Sequence, residues 1–159
     1  GHERHCTGKD CKCVHFPRTD PAVIMLVTHP TKDKCLLGHN KRFKGLRFST
    51  IAGFVEPGES LEHAVAREVK EETGIEVCDI TYKASQPWPF PASIMLGFRA
   101  KGTSTKITCL DEELIEARWF HRDEVRDFAE NQDILPPSQF SISRWLIDCW
   151  LQEEDPRIT

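Results

Sequence analysis

The segment between Ser60 and Gly74 constrains the fold most strongly, because it predicts a capped helix with negative charge on its apolar side. Ser60 is a favourable N-cap and Gly74 a favourable terminator, so we expect a helix over residues 60–73. On a helical wheel of about 100° per residue, Glu68 and Glu72 fall in line with the apolar stripe. The helix therefore carries carboxylates where a soluble protein normally places its core.

Carboxylates in that position need a partner. Glu68, Glu72 and, at the margin of the stripe, Glu71 would repel one another when desolvated, which raises their pKa values unless a cation lies between them. Mg²⁺ is a hard cation that takes a few carboxylates together with substrate phosphates. The alternative is a solvated helix end, where the acidic residues and Arg67 form surface ion pairs.

The loop before the helix favours the metal interpretation. Gly53-Phe54-Val55-Glu56-Pro57-Gly58-Glu59 places glycines where the backbone must turn tightly before the helix begins. Loop and helix together contain Gly53, then Glu59, then the run Arg67-Glu68-Val69-Lys70-Glu71-Glu72-Thr73-Gly74-Ile75. This is the Nudix box without a departure, so the chain resembles the Nudix hydrolases.

The resemblance implies an α/β fold, an α/β/α sandwich around a mixed β-sheet, and cleavage of a nucleoside diphosphate linked to another group. It implies that Mg²⁺ or Mn²⁺ is held by three helix carboxylates and one carbonyl: Glu68, Glu71, Glu72 and Ala52. Arg67 would orient the acidic cluster, and Glu59 would brace the loop against the helix. One carboxylate accepts the proton of the attacking water, and we expect Glu72 to be a ligand rather than that base.

A second acidic cluster lies ahead of the strand expected around Trp119. It consists of Asp111-Glu112-Glu113 with Glu116, and it is either a solvated acidic loop or the source of a further catalytic carboxylate. Resemblance to the subfamily described next points to Glu113 as an additional metal ligand and catalytic residue.

The segment from Ser85 to Met95 alternates three prolines with aromatic residues. Prolines stiffen such a segment, and its rings can stack on a base or nicotinamide while Gln86 and Ser93 offer hydrogen bonds. The alternative is a rigid loop that fills the core. The pattern Ser-Gln-Pro-Trp-Pro-Phe-Pro-any-Ser at this distance from a Nudix box is similar to the NADH pyrophosphatase subfamily, and the similarity runs from about Cys6 to Trp150.

That resemblance implies hydrolysis of NADH or NAD⁺ to NMN(H) and AMP, and removal of the NAD cap from RNA. The implied substrate-binding residues lie in three places: Phe16; Gln86, Pro87, Trp88, Pro89, Phe90, Pro91, Ala92 and Ser93; and Ser143. Two alternatives remain. The chain could act on another diphosphate, such as ADP-ribose or a diadenosine polyphosphate, or it could be a non-catalytic nucleotide-binding module. The proline and aromatic pattern argues against the first, and the intact glutamates argue against the second.

The chain has seven cysteines, three of which cluster near the start. Members of the subfamily carry a four-cysteine zinc ribbon, and the spacing of Cys6 and Cys11 resembles its second knuckle. Two thiolates cannot close a tetrahedral zinc site, so this is either an empty half-site of a fragment or a site completed by Cys13 or a histidine. We expect residues 1–19 to be a remnant of the ribbon and its linker, and residues 20–155 to be the Nudix domain.

Periodicity elsewhere predicts strands over 22–27, 34–38, 48–54, 75–84, 94–100 and 117–120, and helices over 123–130 and 141–152. The net charge of −4 argues against nucleic-acid binding by bulk charge alone. A basic loop before the box is either a phosphate-binding or RNA-binding element or a solvated face; it contains Lys41, Arg42, Lys44 and Arg47.

The sequence has no apolar run of the roughly 20 residues that a membrane span requires, and no signal peptide. The scattered single cysteines are typical of a reducing compartment. We therefore expect an intracellular protein, in the cytoplasm or in the peroxisome, although Arg157-Ile158-Thr159 is not a peroxisomal tripeptide. The resemblance also implies a homodimer.

Overall fold

The structure is a computed structural model that describes residues 2–109, 113–130 and 140–153. Within these ranges, six strands form a mixed sheet and two short strands form a separate hairpin. The elements along the chain are β1 (Arg4–His5), β2 (Val14–His15), β3 (Asp20–Thr28), β4 (Lys34–Asn40), β5 (Ile51–Phe54), α1 (Leu61–Thr73), β6 (Val77–Trp88), β7 (Ser93–Gly102), β8 (Leu114–His121), α2 (Arg122–Glu130) and α3 (Ile142–Gln152).

Strand β3 lies at the centre of the sheet. The strand order is β6-β7-β3-β4-β8, and β5 also pairs with β3. Strands β3 and β7 run parallel, and the remaining pairs of the sheet are antiparallel. The apolar run of β3 is buried on both faces, as expected of a strand with helices on both sides.

Alternate side chains of β3 enter two hydrophobic cores. Val23, Met25 and Val27 pack with the buried side of α1. Ile24 and Leu26 point the other way, into a core that includes residues of α2 and α3. The sheet is therefore the middle layer of an α/β/α sandwich, and the expected α/β fold is confirmed.

The predicted strands and helices are present, but several boundaries differ. The strand predicted over 48–54 begins at Ile51, and Ser49 makes only an isolated bridge to Gly38. Strand β6 extends well beyond 84, through Pro87 to Trp88. Residues 1–20 show no strand periodicity, yet they form the β1–β2 hairpin.

Strand β6 also excludes one interpretation of the proline and aromatic segment. Trp88 is 44% exposed and Phe90 is 73% exposed, so these rings do not fill the core. They lie where β6 turns into β7, and they face solvent. Separately, no helix in the described ranges is both long and apolar enough to span a membrane.

Candidate active site

Helix α1 has the caps and the buried side that the sequence predicts. The Ser60 hydroxyl accepts a hydrogen bond from the His63 N–H at 3.2 Å, and Gly74 ends the helix at a φ of 70°. Glu72 is only 4% exposed, whereas the side chain of Glu71 is 55% exposed. The helical wheel is therefore confirmed: Glu72 lies on the buried side and Glu71 at its edge.

Gly53 is required because the Glu68 carboxylate lies directly against its Cα. A Cβ placed on Gly53 would lie 1.9 Å from Cδ of Glu68 and 2.1 Å from each carboxylate oxygen. A side chain at position 53 would therefore displace the Glu68 carboxylate from the place where it accepts a hydrogen bond from Arg67 at 2.9 Å. The glycine at the start of the Nudix box thus positions a carboxylate of the helix.

Arg67 connects the loop, the helix and strand β5. Its Nε and one Nη2 proton bind Glu59 at 2.8 and 2.9 Å, and Nη1 donates to Glu68 and Glu71, both at 2.9 Å. Nη2 also donates to the Phe54 carbonyl at 2.9 Å. All five N–H donors of a guanidinium are used in this way. Arg67 therefore holds three carboxylates in fixed positions around one positive charge.

The carboxylates around Arg67 differ in their electrostatics. Burial raises the pKa of Glu68, and the negative charges of Glu71 and Glu113 raise it further, against the opposing effect of Arg67. The hydrogen bonds from Arg67 instead lower the pKa of Glu59. Glu68 is thus the carboxylate whose negative charge is least compensated by the protein, although it is the one fixed against Gly53.

Gly53, Arg67 and Glu68 form one wall of a cleft of about 400 Å³, whereas Glu59, Glu71 and Glu72 are not among its lining residues. The residues that line it come from β3, β5, α1, β6, β7 and four connecting segments: Ala22, Arg42, Ala52, Gly53, Phe54, Glu56, Arg67, Glu68, Trp88, Phe90, Ser93, Met95 and Glu113. The cleft brings together parts of the Nudix box, the proline and aromatic segment and the second acidic cluster, which were identified separately in the sequence. Within that cluster, Asp111 and Glu112 lie outside the described residues.

Several predicted substrate-binding residues lie elsewhere. Gln86 accepts a hydrogen bond from the Ile142 N–H at 3.0 Å and donates to the Phe140 carbonyl, so its amide anchors the start of α3. The buried Ser143 hydroxyl accepts a hydrogen bond from the Thr50 hydroxyl at 2.8 Å, which fixes the same helix to the residue before β5. In this structure both side chains position α3 and do not line the cleft.

The other predicted contacts are also outside the cleft lining. Phe16 is exposed beside the β1–β2 hairpin, in a separate pocket with Glu3 and Arg4. Pro87, Pro89, Pro91 and Ala92 surround the cleft-lining rings, and the Ala92 carbonyl accepts a hydrogen bond from the Asp20 N–H at 2.8 Å. These residues shape the turn that presents Trp88 and Phe90.

Sequence reasoning missed Phe54. Its ring is exposed and lines the cleft, while its carbonyl is held by Arg67. The sequence feature that could have indicated it is an aromatic residue directly after Gly53, where strand β5 ends. Ala22 and Met95 were missed as well, because their place in the cleft depends on the pairing of β3 with β7.

The donor set of the cleft suits a hard divalent cation. Among its described lining residues are three carboxylates, Glu56, Glu68 and Glu113, against two guanidinium groups. One of those, Arg67, is already fully engaged, so negative charge is in excess. Within the described residues no three His, Cys, Asp or Glu side chains are gathered closely enough to form a metal site by themselves. The excess of carboxylate oxygen still fits Mg²⁺ or Mn²⁺ together with substrate phosphates.

The cysteine cluster forms a turn between β1 and β2. The Cys6 N–H donates to the Cys13 carbonyl at 3.0 Å, and Gly8 lies between Cys6 and Cys11, within 3.5 Å of both side chains when a Cβ is built on it. The two thiols therefore flank one glycine. Thiolates are soft ligands that suit zinc, unlike the oxygens of the cleft.

Comparison with known proteins agrees with the Nudix box and the sandwich fold. The NUDIX domain family matches residues 18–146. The chain therefore belongs to the Nudix family.

Two curated proteins illustrate which sequences this chain is similar to. The chain is 43% identical to the human "NAD-capped RNA hydrolase NUDT12" over 96% of this chain and 35% of that protein. It is 47% identical to the "NAD-capped RNA hydrolase NudC" of Stutzerimonas stutzeri over 89% of this chain and 48% of that protein. The chain thus spans between about a third and a half of the length of these relatives.

Solved structures support the fold. A NUDIX hydrolase from Nitrosomonas europaea superposes with a TM-score of 0.66 at 24% identity, covering 83% of this chain and 76% of that one. A NUDIX hydrolase from Clostridium perfringens superposes with a TM-score of 0.62 at 18% identity, covering 82% and 95%. At these identities the likeness concerns the fold alone.

Proposed function

We propose that this chain is the catalytic domain of a metal-dependent hydrolase that splits the pyrophosphate of NADH or NAD⁺ into NMN(H) and AMP and removes the NAD cap from RNA. The observation that carries the proposal is the shared cleft of Trp88, Phe90, Glu68 and Glu113. Exposed rings at one side bind a flat base or nicotinamide, while carboxylates lie where the adjoining pyrophosphate extends. The names of the similar proteins agree with this substrate class.

Each group of residues has a task in this proposal. Glu68, Glu71 and Glu72, with Glu113 and the Ala52 carbonyl, would hold Mg²⁺ or Mn²⁺. When bound, that cation neutralises the pyrophosphate oxygens and lowers the pKa of the attacking water. Arg67 keeps Glu68 and Glu71 in place through hydrogen bonds of 2.9 Å to each.

The reaction adds water across one phosphoanhydride bond. Oxygen of the water bonds to one phosphorus, the bridging oxygen leaves with the other phosphate, and a carboxylate of the cluster accepts the proton of the water. The rings of Trp88 and Phe90 hold the nucleotide so that the pyrophosphate stays beside Glu68. Ser93, at the floor between them and β3, offers a hydroxyl for orientation.

The test is product analysis by chromatography after incubation with Mn²⁺ or Mg²⁺. NADH, NAD⁺, ADP-ribose, a diadenosine polyphosphate and NAD-capped RNA are supplied at equal concentration. We expect NMN(H) and AMP from NAD(H), and cap removal from the RNA. Faster cleavage of ADP-ribose would favour a different diphosphate substrate, and binding without any cleavage would favour a nucleotide-binding module.

Two glutamates of the same strand region provide a matched pair for this test. Glu113 lines the cleft, whereas Glu116 is exposed and pairs with Arg118 at 3.3 Å. We expect Glu113→Gln to lower turnover by about tenfold or more and Glu116→Gln to leave it unchanged, because only the first carboxylate faces the substrate. Equal effects would contradict the role of Glu113.

For the N-terminal segment, we propose that residues 1–19 are a remnant of a zinc ribbon and its linker, and that residues 20–155 form the Nudix domain. The side chains of Cys6 and Cys11 lie beside Gly8, and both cysteines are free. Elemental analysis of the purified protein tests this pair: we expect zinc in proportion to protein when a further ligand is available, and loss of that zinc in Cys6→Ser. Zinc retained by Cys6→Ser would exclude these ligands.

We further propose a homodimer in a reducing compartment of the cell, the cytoplasm or the peroxisome. Exposed aromatic side chains lie on β6 at the edge of the described sheet, just before α3 and on α3: Tyr82, Phe140 and Trp145. All seven cysteines are free thiols, as is typical of such compartments. Light scattering during size exclusion gives the mass in solution, and Trp145→Asp is expected to favour the monomer.

A further inference from the structure

The basic loop, residues 41–47, lies beside the acidic side of the cleft. The Lys41 N–H donates to the Glu113 carbonyl at 3.1 Å, so the loop starts next to a cleft-lining carboxylate. The Arg42 and Phe43 N–H groups donate to the side-chain and backbone oxygens of Asn40, at 2.9 and 3.0 Å. These bonds fix the backbone from which the Arg42 side chain extends into the cleft.

The two guanidinium groups of the cleft differ in what they can still bind. Arg67 uses all five of its N–H donors on protein oxygens. Arg42 is exposed, and within the part of the chain that the structure describes no hydrogen bond or ion pair engages its guanidinium. A free guanidinium on a fixed backbone is well suited to bidentate binding of a phosphate.

The order of the strands places Arg42 away from the aromatic side of the cleft. Trp88 is on β6, and the cleft crosses β7 and β3 before it reaches β5, about 14 Å further at the usual spacing between strands. Glu68 lies against Gly53 of β5. A substrate whose ring stacks on Trp88 and whose pyrophosphate lies beside Glu68 therefore directs its other phosphate-bearing part toward the basic loop.

We propose that Arg42 is a phosphate-binding residue of this cleft and determines how tightly the substrate part beyond the carboxylates is held. This inference rests on the proposed function for the identity of the substrate. Two phosphates have the required chemistry: the far phosphate of the scissile pyrophosphate, and the first phosphodiester of an RNA attached to the cap. Arg42 supplies the charge-assisted hydrogen bonds, and the acidic residues of the same cleft supply the proposed metal site.

Kinetics on two substrates test the proposal. KM and kcat of Arg42→Gln are compared with the wild type on free NAD⁺ and on an NAD-capped RNA of a few nucleotides. We expect KM to rise by roughly 10- to 100-fold on at least one substrate, the usual effect of losing a charge-assisted hydrogen bond. If KM rises on both substrates, Arg42 binds the far phosphate of the pyrophosphate. If KM rises on the capped RNA alone, Arg42 binds the first phosphodiester. An unchanged KM on both overturns the proposal.

Two further variants separate binding from stability and from bulk charge. Arg42→Lys keeps the charge without the planar fork, so we expect it to restore only part of the affinity. Arg126→Gln removes a cation from an exposed pair with Asp123 on α2, and we expect it to leave KM unchanged on both substrates. An equal rise in KM for Arg42→Gln and Arg126→Gln would mean that net charge, and not a specific contact, is responsible, and would overturn the proposal.

A binding measurement keeps this inference separate from the proposed function. If the wild type cleaves neither NAD⁺ nor capped RNA, the proposed function fails, but Arg42 can still be tested with inorganic pyrophosphate. Calorimetric titration in the presence of Mg²⁺ is expected to give at least tenfold weaker binding for Arg42→Gln than for the wild type. Equal affinities would overturn the role of Arg42 independently of any substrate.

Discussion

Two arginines of this protein each form an ion-pair network, but they pair with different numbers of described carboxylates. Arg67 faces three carboxylates, Glu59, Glu68 and Glu71, at the edge of the cleft. Arg122 is 3% exposed and pairs with the equally buried Asp33 at 2.8 Å, and its guanidinium lies 4.3 Å from the centre of the Trp150 ring. Its Nη1 protons go to the backbone carbonyls of Trp150 and Glu153.

The difference indicates which network is for stability and which is for function. Among the described residues, the ion pair of Arg122 joins one positive and one negative charge, and carbonyls at the end of α3 accept its Nη1 protons. Arg67 instead pairs with three described carboxylates, and the pKa of Glu68 is raised. The second arrangement is the one that fits the proposed divalent cation.

The largest effect is expected from removing the negative charge of Glu72, on the buried side of α1. Glu72→Gln should lower turnover by about 1,000-fold, because the proposed function makes Glu72 a metal ligand, while the free energy of unfolding stays near the wild-type value. Turnover on NAD⁺ and urea denaturation measure the two quantities. Mn²⁺ should raise the melting temperature of the wild type but not of the variant. Near-normal turnover of the folded variant would contradict the metal assignment.

Removing Arg122 should instead change the free energy of unfolding and not the turnover. Arg122→Ala breaks the buried ion pair with Asp33 and should lower the free energy of unfolding by about 3 kcal/mol. Turnover per folded molecule should be unchanged. The matched control is Arg126→Ala on the same helix, whose exposed pair with Asp123 should contribute less than about 1 kcal/mol. A loss of activity without loss of stability in Arg122→Ala would remove the distinction between the two networks.

A smaller effect is expected from the aromatic side of the cleft. Trp88→Ala should weaken nucleotide binding by roughly tenfold, since one stacking surface is lost, with little change in melting temperature. Trp145 is a suitable control because it is 43% exposed, almost the same as Trp88 at 44%, but does not line this cleft. Trp145→Ala should leave the affinity unchanged. If Trp88→Ala instead collapses stability, the ring belongs to the core.

The smallest effect concerns pH. Hydrogen bonds from Arg67 lower the pKa of Glu59 in the folded protein below its unfolded value of about 4.3. The unfolded chain then binds more protons, so this contribution to stability is present above the unfolded pKa and is lost as the pH falls through the folded pKa. The free energy of unfolding is measured by urea denaturation at several pH values between about pH 5 and pH 3. As the pH falls, it should decrease less steeply for Glu59→Gln than for the wild type. Identical slopes would mean that the Arg67 network does not stabilise the fold.

Prediction from the sequence was accurate where a short segment carries its own signal. Helix α1 was located by its caps and its periodicity, and strand β3 by an apolar run. Strand β6 was predicted too short because Pro87 normally ends a strand. It is tolerated here since β6 is an edge strand of the described sheet, where a missing N–H leaves no ladder bond unmade.

The roles of Gln86 and Ser143 show where sequence reasoning stops. Gln86 bonds to backbone groups more than 50 positions away, and Ser143 bonds to Thr50 across 93 positions. The expected substrate contacts were the side chain of Gln86 and the backbone at Ser143, and no local pattern predicts that the two side chains anchor α3. Only the docking of α3 against the sheet brings these groups together.

The sequence by itself determined the acidic helix, the glycine that accepts Glu68 and the aromatic segment, because each depends on residues within about 20 positions of one another. The tertiary structure decided that Glu113, Arg42 and Phe54 share one cleft with Trp88. The physical reason is the strand order of the sheet: β3 pairs with β7 on one side and with β4 and β5 on the other. Residues that are distant in the chain meet at the ends of neighbouring strands, and no local pattern encodes that arrangement.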